Sequence, residues 1–254
     1  MNAERVESAL SRRPRAGVMI GLLALDADAT IEDEWRSLVP VDRAGFYTGR
    51  VTCDTEITPA TLQAVSAPLE VAARSLLPGT ALDVVAFACT SATLFLGEDR
   101  VSALIAEARP GVEVTTPLTA VKAALKRFQA KKVGVLTPYM DAINEPLAGN
   151  LTASGWDVVR IASFFVGNDV DVVRITESSI AEAARKVAQP PVEALVIACT
   201  GLRASALVPR LERELGIPVT TSNHALAWHS LALAGDNAPC PGRGRLFEQW
   251  DRRT

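Results

Sequence analysis

The sequence predicts an α/β fold of two pseudo-symmetric lobes made by internal duplication, each a mostly parallel four-stranded sheet flanked by helices, facing each other across one cleft. Three observations predict it. Segments of the chain recur in order: Leu82–Thr90 reads against Val192–Thr200, Gly111–Thr116 against Gly216–Thr221, and Ile20–Leu23 against Val133–Leu136, at offsets of about 105 to 113 residues. Each repeat holds short runs rich in Val, Ile and Leu and bounded by turn residues, the pattern of strands buried on both faces. Helical patterns separate those runs, and strands alternating with helices indicate βαβ units and a parallel sheet.

Taken in order, the first element is a strand over Gly17–Ala24. Its flanks, Ser11-Arg12-Arg13 and Asp26–Ala29, loosely imitate a secretory signal, but the matching strand later in the chain favours a buried strand. Thr58-Pro59 supplies an N-cap and a proline at the first helical position, opening a helix to about Leu77 in which Pro68 should produce a kink or a break. A second helix covers Glu98–Ala108, with Val101, Leu104, Ile105 and Ala108 on one face. Leu118–Gln129 forms a helix that leads into the second repeat, where helices follow over Glu177–Val187 and Ala204–Leu215. The last helix, Ala225–Ala234, has no further repeat to enter, and its simplest packing is back onto the first lobe. The expected lobes are therefore residues 1–117 plus 222–254, and residues 118–221. Disorder is expected only in the first dozen residues and in Arg252, Arg253 and Thr254.

Composition excludes several function classes. A net charge of −3 without a Lys/Arg stripe argues against nucleic acid as a partner. No run reaches the roughly 18 apolar residues of a membrane span, so no membrane association is expected. Four cysteines without CxxC spacing argue against a disulfide scaffold or a zinc site, and fit a reduced, cytoplasmic protein. His224 and His229 are five apart, a spacing that does not align two ligands on one helical face, so no metal site is expected and a structural role suits them better. Gly242-Arg243-Gly244 follows no strand and is not a dinucleotide fingerprint. Cys53 and Cys240 lie outside the repeated motifs, and Trp35, Trp156, Trp228 and Trp250 read as packing residues.

The chemistry-bearing residues are the other two cysteines. Ligands of an open parallel sheet bind beyond the carboxyl ends of its strands. Cys89 and Cys199 each stand at such an end, before Thr90-Ser91 and Thr200-Gly201. Backbone N–H groups opening the next helix would hold a carboxylate there and lower the thiol pKa. A free cysteine is often only a small buried hydrophobe. Two of them at equivalent repeat positions point to function instead.

The motifs Ala88-Cys89-Thr90-Ser91-Ala92, Ala198-Cys199-Thr200-Gly201-Leu202-Arg203 and Leu136-Thr137-Pro138-Tyr139 resemble the aspartate/glutamate racemase superfamily, over about Gly17 to Gly235. Within it the sequence is similar to the branch of maleate cis–trans isomerases, arylmalonate decarboxylases and ectoine-utilisation A proteins. The segment from Val219 to His229 resembles the last of these. The resemblance implies chemistry on a small carboxylate with no metal or organic cofactor, in a protein usually dimeric. In racemases of this kind one cysteine removes the α proton and the other delivers one to the opposite face. In maleate isomerases the first-lobe cysteine adds to the double bond. In decarboxylases that cysteine is missing and the second-lobe one protonates the intermediate. Because Cys89 and Cys199 are both present, an isomerase or racemase is expected, with a decarboxylase-like lyase or a catalytically silent binding protein as alternatives.

The resemblance further implies that Tyr139 and Asn168 contact substrate, and that Thr90, Ser91, Thr200 and Gly201 donate to its oxygens. Asp28 falls where maleate isomerases carry an asparagine. An ionised Asp accepts hydrogen bonds and does not donate them, so at the pocket it would disfavour a dianion and favour an acid with a neutral or cationic second group. Its alternative role is to cap Ala29–Glu32.

Overall fold

The computed structural model describes residue 3 and residues 5–248. Trp250 and the Arg252–Thr254 tail lie outside the described residues. The first half runs β1 (Val18–Leu25), α1 (Ile31–Leu38), β2 (Ala44–Val51), α2 (Pro59–Ala64), α3 (Ser66–Ser75), β3 (Val84–Ala88), α4 (Thr90–Leu96), α5 (Glu98–Ala108), β4 (Glu113–Thr115) and α6 (Pro117–Arg127). The second runs β5 (Lys132–Thr137), α7 (Asp141–Ala153), β6 (Asp157–Ser163), α8 (Asp169–Val172), α9 (Glu177–Val187), β7 (Ala194–Ile197), a 3₁₀ turn at Ser205–Leu207, α10 (Val208–Leu215), β8 (Val219–Thr221), α11 (Ser222–Leu233) and α12 (Arg245–Glu248).

Two four-stranded sheets result, ordered β2-β1-β3-β4 and β6-β5-β7-β8, and every pairing is parallel. The orders are identical once the second half is laid over the first, as a duplication requires. The central strands of both sheets are almost wholly buried, consistent with helices on both faces. The repeated glycine serves one purpose in each lobe. A Cβ on Gly21 would stand 2.5 Å from Leu76 Cδ2, and one on Gly134 would stand 2.9 Å from Val187 Cγ1. In both sheets the central strand thus needs a glycine for close packing of the covering layer.

The helices over Glu98–Ala108 and Glu177–Val187 form with the bounds the sequence predicts. The helix opened by Thr58 does break, but at Val65 and not at Pro68. Pro68 is the third residue of α3, in a first turn whose N–H groups have no intrahelical acceptor, so its missing donor costs little. The helix expected from Ala204 begins only at Val208, after the 3₁₀ turn. Edge strands β2 and β6 carry no continuous apolar run, because one side of each meets solvent or loops. Residues 5–17 form no helix or strand, although Arg13 pairs with Asp83 at 2.7 Å. Among the described residues no helix is long and apolar enough to cross a membrane.

Two helices open with the same device. Thr116 and Thr221 cap α6 and α11 by accepting from the backbone N–H of Thr119 and His224. The two helices pack on each other, α11 also against α1, β3 and β4, while Leu118 and Val121 of α6 face Val135 and Val196 of the second sheet. On this exchange of helices we base the proposed lobe division, 1–117 plus 222–254 against 118–221.

Candidate active site

Strand β3 delivers Cys89 as the N-cap of α4, where its Sγ accepts from Ala92 N–H at 3.3 Å. Strand β7 delivers Cys199 differently, with φ +114°, a strained backbone for any residue but glycine. Contacts from several directions hold it. Cys199 N–H donates to Ser222 Oγ at 3.0 Å, and Ser222 Oγ also meets Thr90 Oγ1 at 2.8 Å, so one hydroxyl ties the two cysteine segments together. Thr200 Oγ1 donates back to Ala88 O at 3.3 Å. From the first lobe, Thr30 Oγ1 donates to Gly201 O at 3.1 Å. The buried Glu34 carboxylate receives Ala204 N–H, Ser205 N–H, Ser205 Oγ–H and Asn223 Nδ2–H at 2.6–2.7 Å.

These segments enclose a cleft lined by eight of the residues singled out from the sequence: Asp28, Cys89, Thr90, Ser91, Tyr139, Cys199, Thr200 and Gly201. Tyr139 is fully buried and lines the cleft beside Cys199 and Ser91, which both act on its hydroxyl. Asn168 does not reach the lining. Its side chain caps α8, accepting from Asp171 N–H at 2.9 Å and donating to Asp171 Oδ2 at 3.0 Å. The next residue, Asp169, lines the cleft in its place. Register decides this: Glu56 pairs antiparallel with Asn168, Ile57 N–H donates to Gly167 O at 2.9 Å, and Asp169 N–H donates to Thr55 O at 2.9 Å. No sequence signal separated Asn168 from its neighbour. The cleft has a free volume of about 10 Å³, which admits about one water molecule.

Asp28 caps the following segment and also lines the cleft. Oδ1 accepts from Thr30 N–H at 2.7 Å and Ile31 N–H at 3.0 Å, while Oδ2 is buried with no hydrogen-bond partner. The histidines stand elsewhere. His224 bonds Thr220 Oγ1 and Arg243 O, and His229 bonds Thr115 Oγ1. Burial depresses both ring pKa values, that of His224 to about 4. Among the described residues no three His, Cys, Asp or Glu side chains cluster to hold a metal ion.

Comparison with known proteins gives this geometry its relatives. The arylmalonate decarboxylase family model matches residues 21–247. The chain belongs to the arylmalonate decarboxylase family. Within the wider group it is 30% identical to maleate isomerase of Nocardia farcinica over 241 residues, 91% of this chain and 95% of that one. It is 30% identical to arylmalonate decarboxylase of Bordetella bronchiseptica over 171 residues, 65% and 71% of the two chains. Among solved structures, a Cys→Ser variant of the Nocardia farcinica maleate cis–trans isomerase with a covalently bound succinylcysteine intermediate superposes with a TM-score of 0.85 at 27% identity, covering 91% of this chain and 98% of that one. A Gly→Cys, Cys→Ser double variant of arylmalonate decarboxylase in the liganded form gives 0.80 at 26% identity, with the same two coverages.

In this family member the electrostatics run against the lowered thiol pKa expected from the helix N-terminus. Burial pushes the Cys89 thiol up to about 12. The Ala92 N–H and Ser91 oppose the rise, while Asp169 and Asp28 add to it. Cys199 is raised further, by burial and then by Asp169, against the pull of Tyr139 and the Gly201 N–H. Desolvation therefore outweighs the favourable amides, and both cysteines rest as neutral thiols. Burial and the neighbouring Asp28 likewise push Asp169 up to about 7. Two neutral thiols and two carboxyl groups with raised pKa values thus line one cleft.

Proposed function

We propose that the chain is a cofactor-independent isomerase or racemase-type enzyme acting on a small carboxylic acid through Cys89 and Cys199. The observation that carries this reading is that equivalent strands of the two repeats bring two thiols to one closed cleft. In the racemase form, one cysteine acts as thiolate and takes the α proton. The electron pair passes into the carboxylate as an enediolate, and the other thiol protonates the opposite face. In the isomerase form, Cys89 as thiolate adds to a double bond conjugated with the carboxylate. Rotation about the resulting single bond follows, and elimination restores the thiolate; the succinylcysteine adduct of the Nocardia relative favours this form. Tyr139 and the backbone N–H groups at Thr90, Ser91, Thr200 and Gly201 would bind the carboxylate oxygens as negative charge develops.

The family model and the Bordetella relative favour a second reading, a carbon–carbon lyase in which CO₂ leaves and Cys199 protonates the remaining carbanion. Incubation with candidate acids in deuterated water separates the readings. Deuterium entering the α position of unconsumed acid supports proton transfer, geometric isomerisation without exchange supports the covalent form, and CO₂ release supports the lyase. The absence of all three would overturn the enzymatic proposal in favour of a binding protein. A cytoplasmic homodimer belongs to the same proposal, and the four free cysteines fit a reducing compartment.

A further inference from the structure

The two carboxylates in the cleft wall are not used by the proton transfers above. Asp28 is 7% exposed, and its Oδ2 lies buried without a hydrogen-bond partner. The Thr200 hydroxyl beside it donates to Ala88 O at 3.3 Å. Asp169 enters the same wall from the second lobe, fixed there by its N–H bond to Thr55 O at 2.9 Å. Among the described residues no Lys, Arg or His lines the cleft to balance them. Arg50 acts on Asp28 through space but does not line the cleft: its guanidinium donates to the Leu25 and Asp28 backbone carbonyls at 3.0 and 2.6 Å and to Glu32 at 2.5 Å. A buried carboxylate oxygen without a donor is costly, and a second carboxylate facing the same space adds to the cost. A ligand bearing N–H groups and positive charge would relieve both at once.

We infer that Asp28 and Asp169 form a cation-accepting subsite, so that the acid taken by this cleft carries an ammonium, amidinium or similarly charged N–H group besides the carboxylate presented to the cysteines. This deepens the proposed function by naming the substrate class. The raised pKa of Asp169, about 7, fits the same picture, since desolvation and Asp28 both oppose its charge until a counter-charge arrives. Among the described residues the titratable groups that share the cleft lining with Asp169 are Asp28, Cys89, Cys199 and Tyr139, and Cys53 also interacts with it; none of them is cationic.

The test is a binding measurement by calorimetry at pH 8, where Asp169 is ionised, using three acids of similar length: succinate, succinamate and 4-aminobutanoate. The wild type should bind 4-aminobutanoate at least about tenfold more tightly than succinate, with the neutral amide between them. Asp169→Asn should cut that preference by about fivefold or more, and Asp28→Asn combined with Asp169→Asn should abolish or reverse it. Asn at position 28 keeps an oxygen for the Thr30 and Ile31 amides, and Asp169→Asn leaves that cap untouched, so at least one variant remains folded and readable by circular dichroism. A preference for succinate, equal binding, no binding of any of the three acids, or a preference unmoved by Asp169→Asn would overturn the inference. Because binding is read rather than turnover, an inactive protein with the expected preference would refute the catalytic proposal and leave this one standing.

Discussion

Cys89 and Cys199 end equivalent strands and share the tripeptide Ala-Cys-Thr, yet the chain leaves them in different ways. After Cys89 a helix starts at once, and the cysteine sits at φ −147°, an unstrained extended conformation, with the first turn of α4 behind its sulfur. After Cys199 no helix follows until Val208, and the cysteine holds φ +114°. Its loop is shaped from outside: by Ser222 at its N–H, by Thr30 at the Gly201 carbonyl, and by Glu34 beneath Ala204 and Ser205. Both segments are tied across the cleft, that of Cys89 by Ser222 at Thr90 and by Thr200 at the Ala88 carbonyl, but only Cys199 holds a strained backbone by such contacts. A repeat can thus preserve residue identity while the surrounding lobes divide the task of positioning.

The largest effect is expected from removing each sulfur. If both thiols act on the same intermediate despite their unlike backbones, Cys89→Ser and Cys199→Ser should each lower kcat by at least about 10²-fold on the true substrate. Near-wild-type turnover by either variant would mean that only one half of the repeat is catalytic.

Next in size is the pH response. Cys89 is raised to about 12 and Cys199 higher still, so below those values the thiolate fraction grows about tenfold per pH unit. The logarithm of kcat/KM should therefore climb with a slope near one between about pH 7 and 9. A plateau near neutrality would show that a thiolate already forms there in the free enzyme, against the rise that burial imposes on both thiols.

Glu34→Gln sharpens the comparison by a smaller effect. The amide cannot accept all four of the hydrogen bonds that Glu34 receives, and the loss should cost about 2 kcal/mol, a melting temperature lower by several degrees. Alkylation followed by mass spectrometry should then show Cys199 reacting several-fold faster while Cys89 is unchanged. Equal acceleration at both cysteines would mean that the network stabilises the whole molecule and not the Cys199 loop in particular.

Repeats and local patterns encode one share of this molecule. The duplication, the buried parallel strands, the helices Glu98–Ala108 and Glu177–Val187, and the placement of both cysteines at strand ends follow from hydrophobic period and motif recurrence, which act over a few residues. The remainder depends on groups far apart in the chain, which meet only once it is folded. Pro68 sits harmlessly in a first turn because the break falls at Val65. The pairing of residues 55–57 with the loop before α8 turns Asp169 to the cleft and leaves Asn168 as a cap. Asp28 is both a cap and a wall residue, a pair of roles that a single position in a sequence cannot distinguish. The thiol pKa values rise because desolvation scales with how completely two lobes close over a site, and the dipeptides following the cysteines carry no record of that closure.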